Sequence, residues 1–176
     1  TIVLNFYTTI FLIMNSILIF DFSADSDLSN WYVVDDVVMG GRSSGSFYIG
    51  DNGTGVFSGE VSTKNNGGFS SLRFTSQPRS LKDHSKFILS LKGDGKKYQF
   101  RVKSKRNDYQ SYVLDFKTSG EWQEIEIDFS ALVPTFRGRK LDMPNFQSNS
   151  FDELGFLIGN KKNESFKLEI NKIEIK

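Results

Sequence analysis

The residues that could do chemistry in this chain are concentrated in two glycine-rich segments. The first runs from Trp31 to Gly45 and carries two adjacent acids followed by a short loop sequence: Asp35, Asp36, then Met39, Gly40, Gly41 and Arg42. Paired glycines allow a close approach of the backbone to another molecule, and carboxylates can accept hydrogen bonds from the N–H groups of such a turn. We interpret the segment as a ligand-facing or partner-facing loop; the alternative is a structural corner between strands.

The second segment has the same character and contains Asn65, Asn66, Gly67, Gly68 and Phe69. Its backbone amides could bind a sugar or a peptide backbone, and the alternative is a plain hairpin turn. A phosphate-binding loop is disfavoured in the first segment, because no Gly-Lys-Ser/Thr sequence follows its glycines and no helix pattern begins there.

The acidic residues do not form a recognisable catalytic set. A glycosidase needs two carboxylates about 5–10 Å apart across a cleft, and nothing in the sequence pairs Asp35 or Asp36 with Asp94 or Asp115. The single histidine, His84, lies in a polar connection without a recognisable serine or acid partner. We therefore expect no catalytic site, no metal-binding set and no cofactor, with an acid-based hydrolase as the least favoured alternative. A calcium site built from loop carboxylates stays open.

One further loop and three aromatic residues are candidates for binding. The loop contains Phe136, Arg137 and Arg139, and it could contact an acidic partner or be a solvated turn. Trp122, Tyr109 and Tyr112 could stack on sugar rings, or pack into the core. These aromatic residues carry the alternative hypothesis of a carbohydrate-binding module.

Composition removes several classes of protein. The chain of 176 residues has 22 Lys+Arg against 21 Asp+Glu, and this balance argues against a nucleic-acid-binding protein. It has no cysteine, which excludes disulfides, thiolate metal sites and cysteine nucleophiles. Aromatic residues make up 14% of the chain and 17 of them are Phe, which is typical of a β protein with an aromatic core.

The elements that must position these residues alternate with period two, as half-buried strands do. The predicted strands are 17–22, 86–91, 98–103, 111–117, 124–129, 166–170 and 173–175, with a bulge or break at 171–172. Glycine and asparagine turns separate them, and the longest stretch without clear strand character is Pro134–Asp152. Many strands at short spacing predict an all-β, two-sheet antiparallel sandwich. We assign residues 17–176 to one domain.

Residues 1–16 form an apolar leader that contains no charged residue. It could be an export signal or a membrane anchor, and the alternative is a buried strand with an apolar tail. Membrane association through this leader is therefore an open hypothesis.

Seven motifs in order resemble one known family, that of the complex I intermediate-associated protein of the thirty-kilodalton assembly-factor type. The first two are Trp31 with Asp35–Gly45, and Phe57–Ser62 with Asn65–Ser71. The others are Gly93-Asp-Gly95 with Tyr98, Glu121-Trp122, Asp128-Phe129, Phe136–Arg139, and Leu154-Gly-Phe156 with Phe166. The resemblance covers about residues 18–176.

The resemblance implies a galactose-binding-like jelly roll and a chaperone-like, non-catalytic role in assembling respiratory complex I. It also implies that the two glycine-rich segments lie near each other at a surface that holds a protein partner, such as a respiratory-complex subunit. The leader lacks the arginine-rich character of a mitochondrial transit peptide, which favours a bacterial protein of the cytoplasm or the envelope. Because the fold is shared with carbohydrate-binding modules, carbohydrate remains the alternative ligand.

Overall fold

The computed structural model describes residues 16–176, so the predicted leader lies outside the described residues except for Ser16. Within residues 16–176 the chain forms strands and three short 3-10 turns, and no α-helix. The strands are β1 (Ile17–Asp21), β2 (Trp31–Asp35), β3 (Ser44–Ile49), β4 (Gly55–Val61), β5 (Ser70–Ser80), β6 (Lys86–Lys92), β7 (Lys97–Lys103), β8 (Ser111–Lys117), β9 (Trp122–Asp128), β10 (Val133–Phe136), β11 (Arg139–Lys140), β12 (Ser150–Ile158) and β13 (Glu164–Ile175).

The strands form two antiparallel sheets. The six-stranded sheet has the order β3-β4-β13-β6-β9, with β1 also paired to β13, and the seven-stranded sheet has the order β11-β10-β8-β7-β12-β5-β2. This architecture confirms the prediction of an all-β, two-sheet sandwich of the jelly-roll class.

The alternating segments behave as the sequence predicts. The predicted strands correspond to β1, β6, β7, β8, β9 and β13, and the register of β13 shifts between Ile170 and Lys172, where the break is expected. The prediction that Pro134–Asp152 lacks strands is partly wrong, because Val133–Phe136 pairs with β8 despite Pro134. Proline is tolerated near a sheet edge, and only the two-residue strand β11 lies beyond β10.

The space between the sheets is filled mainly by aliphatic and phenylalanine side chains. In agreement with the aromatic core that composition predicts, Phe87, Phe100 and Phe156 are fully buried, and Phe129 packs partly buried against Phe87. A second aromatic group, on β1 to β5, contains Phe20, Phe22, Trp31, Phe47 and Phe74.

The chain crosses between the sheets twice at one corner. The first crossing leads from β2 to β3 through the 3-10 turn Asp36–Met39, and the second leads from β4 to β5 through the 3-10 turn Lys64–Asn66. Because β2 pairs with β5, and β3 pairs with β4, the two crossings lie side by side. We call this region the crossover corner; it contains both glycine-rich segments.

Candidate functional site

The crossover corner brings the two glycine-rich segments into direct contact. The side-chain amide of Asn65 donates a hydrogen bond to the Gly40 carbonyl, at 3.2 Å, and the Asp36 amide donates to the Phe69 carbonyl, at 3.4 Å. The hairpin interpretation of the second segment is wrong, because β4 and β5 belong to different sheets. The segment instead changes sheets, with Asn65 and Asn66 in the left-handed region at φ 57° and 59°.

Asp36 is the internal anchor of this corner. Its side chain is fully buried and accepts hydrogen bonds from the Ser43 amide (2.9 Å) and hydroxyl, and from the amides of Gly68 (2.6 Å) and Phe69 (3.2 Å). Burial by itself would raise the pKa of this carboxyl, but the bonds from Ser43, Gly68 and Phe69 outweigh it and hold the pKa below its usual range. Asp36 thus joins both crossings to the start of β3.

The glycines of the corner leave room for this carboxylate. A Cβ atom on Gly41 would lie 2.2 Å from Asp36 Oδ1, and one on Gly67 would lie 2.5 Å from Asp36 Oδ2. Gly40 closes the 3-10 turn with φ +87°, a conformation that L side chains rarely adopt. These glycines are therefore required by the anchor itself.

The neighbouring acid has a similar internal role. Asp35 accepts hydrogen bonds from the Gly45 amide, at 2.9 Å, and from the Ser70 hydroxyl, so it connects β2 to β3 and β5. The carboxylates of Asp35 and Asp36 thus both accept hydrogen bonds from other parts of the fold.

The tip of the first crossing is apolar and points into solvent. The side chains of Val37, Val38 and Met39 are 61%, 75% and 61% exposed, and Arg42 beside them is also exposed. We call these three residues the apolar tip. Sequence reasoning identified Met39 but missed the two valines, although their place between the buried acid and the glycine pair was a usable signal.

The third predicted group lies elsewhere. Phe136, Arg137 and Arg139 belong to the β10–β11 turn, at the opposite edge of the seven-stranded sheet from β2, so the structure does not bring them to the corner. There the Tyr109 ring packs edge-on against Phe136 at 5.5 Å, and the Arg137 guanidinium lies over Phe136 at 5.3 Å.

The aromatic residues proposed to stack on sugars do not share a surface. Trp122 is on the edge strand of the six-stranded sheet, Tyr109 is at the far edge of the other sheet, and Tyr112 packs against Phe146 at 5.1 Å. A single binding platform of these three rings is therefore ruled out by the sheet topology.

The acids considered for a glycosidase pair also have internal or remote partners. Asp94 accepts bonds from the Tyr98 hydroxyl, at 3.1 Å, and the Lys167 amide, at 2.9 Å, whereas Asp115 pairs with Lys97 at 3.2 Å. In the described part of the chain, no three His, Asp or Glu side chains gather in an arrangement that could hold a metal ion. Residues 16–176 also include no helix of the length and apolarity that would cross a membrane.

A polar recess on the outer face of the seven-stranded sheet was missed by sequence reasoning. It lies over the middle strands β5, β12 and β7, and we call it the sheet recess. Its lining includes Ser71, Arg73, Arg101, Ser111 and Glu153, and it encloses about 20 Å³. The usable signal was the alternation in β7, where charged and polar residues face away from the buried Tyr98, Phe100 and Val102.

The recess is dominated by positive charge. Burial and, to a smaller extent, the nearby charge of Arg73 lower the pKa of Arg101 to about 10, although the charge of Glu153 opposes both effects. The Tyr32 hydroxyl donates to Glu153 Oε2 at 3.4 Å, and its pKa is raised by burial and by the Glu153 charge. In the loop after β7, Arg106 contacts the Asp152 carboxylate at 3.7 Å.

Comparisons with known proteins identify both a family and a fold. The model of the family "Complex I intermediate-associated protein 30 (CIA30)" matches residues 20–170. An uncharacterised protein of Schizosaccharomyces pombe is 29% identical over 175 residues, which cover 82% of this chain and 78% of that protein. The mitochondrial complex I intermediate-associated protein 30 of Mus musculus is 23% identical over 180 residues, covering 89% of this chain but only 55% of the mouse protein.

Among solved structures, a similar fold is that of the family 11 carbohydrate-binding module of a cellulosomal cellulase from Clostridium thermocellum. The two share 19% identity with a TM-score of 0.68, over 92% of this chain and 94% of the module. At this identity the likeness concerns the fold.

Proposed function

Because the chain belongs to the complex I intermediate-associated protein 30 family, we propose that it is a non-enzymatic module that holds a protein partner during assembly of respiratory complex I. A chaperone-like assembly role needs a surface that a partner can bind, and it needs no catalytic group.

The apolar tip is the observation that carries this proposal. Three consecutive apolar side chains, Val37, Val38 and Met39, stand more than half exposed on one turn. Apolar surface of this kind gains free energy when a partner covers it, at about 25 cal/mol per Å². The tip is held by the buried Asp36 beneath it, so little conformational entropy is lost on binding.

The hydrogen bonds that Asp35 and Asp36 accept agree with a binding role for the corner. Asp35 and Asp36 accept hydrogen bonds from neighbouring strands and loops, which supports a structural role for both carboxylates. The motif that looks most like a site in the sequence thus shapes the corner, and the tip beyond it is the surface that we assign to the partner.

The test is capture of partners from the native cell with a tagged protein and a tip variant, Val37→Ser/Val38→Ser/Met39→Ser. Tyr109→Ser is the matched control, since Tyr109 is also 61% exposed but lies at the opposite edge of the sheet. We expect complex I subunits to be enriched by the wild type and by the control, and to be lost with the tip variant. Retention of those subunits by the tip variant would exclude the tip, and their absence from all three captures would exclude the assembly role.

A second candidate function is carbohydrate binding, favoured by the sheet recess. Charged and hydroxyl groups line it, among them Arg101, Glu153 and Ser111, and such groups suit the hydroxyls of a polar ligand. The residues predicted to stack on sugars, Trp122, Tyr109 or Tyr112, do not line the recess, so the charged and hydroxyl groups carry this candidate function.

A further inference from the structure

We propose that the sheet recess binds an anionic saccharide, with the ligand's carboxylate, sulfate or phosphate group held between Arg73 and Arg101. This inference deepens the second candidate function and rests on it, but it is independent of the apolar tip. Four features of the described residues support it: the register of three strands, the absence of a carboxylate ion pair for two arginines, the charge balance and the chemistry of the lining.

The register places the two arginines on either side of a bare strand position. Gly155 in β12 pairs with Arg73 on one side and with Arg101 on the other. Neighbouring strands lie about 4.8 Å apart, so the Cα atoms of the two arginines are roughly 10 Å apart. Gly155 has no side chain, and a Cβ there would lie 2.2 Å from the Leu72 carbonyl oxygen, so this position of β12 is bare and lines the recess together with the two arginines.

Both arginines point away from the core, towards the outer face of the sheet, and both line the recess. Their neighbours along the strands, Leu72 and Phe74 in β5 and Phe100 and Val102 in β7, are buried between the sheets. Alternation along a strand then directs Arg73 and Arg101 to the outer face.

Neither arginine forms an ion pair with a carboxylate in the described part of the chain, although the charge of Glu153 acts on Arg101. Arg101 donates its side-chain hydrogen bond to Gln99 Oε1, at 2.9 Å. Like charges that are partly desolvated and close together are unfavourable. An oxyanion between them would relieve the repulsion and supply the acceptors that guanidinium groups bind best.

The charge balance leaves the recess positive. Arg73, Arg101 and Lys103 line it together with one acid, Glu153. The single negative charge of Glu153, which accepts a hydrogen bond from the Tyr32 hydroxyl, balances only one of these three cations. The lowered pKa of Arg101, caused by burial and by Arg73, agrees with a site in which positive charge is in excess.

The lining favours a saccharide over a protein partner. The centre of a protein–protein interface is usually apolar and aromatic, and is depleted in charged residues. Here the centre is charged and carries the hydroxyls of Ser71 and Ser111 beside Glu153, a mixture of donors and acceptors that matches sugar hydroxyls. The recess holds about 20 Å³, enough for a single small group, so the sugar rings would lie along the open sheet face.

Calorimetric titration with matched acidic and neutral oligosaccharides tests the inference. The acidic probes are tetragalacturonate, a sulfated galactan tetrasaccharide and mannose 6-phosphate. The neutral counterpart of the first two is a galactose tetrasaccharide, and that of the third is mannose. We expect measurable binding of at least one acidic probe and at least tenfold weaker binding of its neutral counterpart. Arg101→Met and Arg73→Met should each weaken the acidic probe at least tenfold, which is the effect of losing a charge-assisted hydrogen bond.

Lys97→Met is the matched control, because Lys97 lies on the same strand and its charge pairs with Asp115 outside the recess. It should change affinity less than threefold, and thermal melting of each variant establishes that it is folded. Binding of neutral and acidic probes with equal affinity would overturn the anion site but leave carbohydrate binding standing. Tighter binding of a hexaglutamate peptide than of every saccharide would assign the arginines to a protein. If no probe binds detectably, the inference is wrong, and the proposed assembly role is unaffected.

Discussion

The crossover corner and the sheet recess use charged residues in opposite ways. At the corner, buried Asp36 receives four hydrogen bonds from three residues, so its carboxylate is stabilised by donors inside the fold. In the recess, Arg73 and Arg101 face each other across Gly155 with no carboxylate ion pair among the described residues. The first region is complete without another molecule, and the second is not.

The difference separates a motif that builds the fold from a site that awaits a ligand. The corner has the densest sequence motif, yet its acids and glycines are needed to cross between the sheets. The recess has no recognisable motif, yet it carries uncompensated charge, which structures usually keep for function. Charge removal should therefore destabilise the protein at the corner and not in the recess, and the following predictions test this contrast.

The largest effect is expected for Asp36→Ala. The change leaves the Ser43, Gly68 and Phe69 donors without their acceptor in a buried corner, and should lower the free energy of unfolding by about 3–5 kcal/mol. Urea unfolding followed by fluorescence measures it. The control is Asp51→Ala in the exposed β3–β4 turn, which should change the value by under about 0.5 kcal/mol. Equal effects of the two substitutions would show that Asp36 is no anchor.

The loss of stability at acidic pH should depend on the same carboxylate, that of Asp36. The pKa of Asp36 is lower in the folded protein than in the unfolded chain, so its contribution is present above the unfolded value and is lost as the pH falls through the folded one. Unfolding free energy measured below pH 4 should fall more steeply for the wild type than for Asp36→Ala. The effect should be smaller than that of the substitution, because protonation leaves the carboxyl group in place. If the unfolding free energies of the wild type and of Asp36→Ala fall in parallel below pH 4, other carboxylates cause the loss of stability in acid.

Removing a charge from the recess should leave the unfolding free energy unchanged or raise it, which is opposite to the effect expected at the corner. Arg101→Met removes a partly buried charge that has no carboxylate partner and keeps most of the apolar stem, so unfolding free energy should stay unchanged or rise by up to about 1 kcal/mol. The same urea titration measures it. A loss of 2 kcal/mol or more would show that Arg101 is a structural residue, and the contrast between the two regions would fail.

The smallest effect is expected at the apolar tip. Val38 is 75% exposed, so Val38→Ser should change stability by under about 0.5 kcal/mol, as seen in the melting temperature. A marked destabilisation would mean that the tip packs within this chain and is not free for a partner.

Local pattern predicted part of the fold. β7, β8 and β9 alternate between core and solvent, and the break near 171–172 in β13 is visible in the same pattern. β12 was missed as a strand because it lies in the middle of its sheet and is buried along most of its length, so it shows no alternation. β10 was missed because its proline argues against a strand.

The sequence by itself determined the all-β class, the aromatic core, the family and the glycine-rich segments, since these depend on composition and on neighbours along the chain. Only the tertiary structure decided what the residues do. Asp36 became an anchor because the amides of Gly68 and Phe69, more than thirty positions away, are brought to it by the second crossing. Arg73 and Arg101 face each other only because β12, from much later in the chain, lies between their strands. Such contacts arise from strand order, and antiparallel pairing over long sequence separations leaves no local signal.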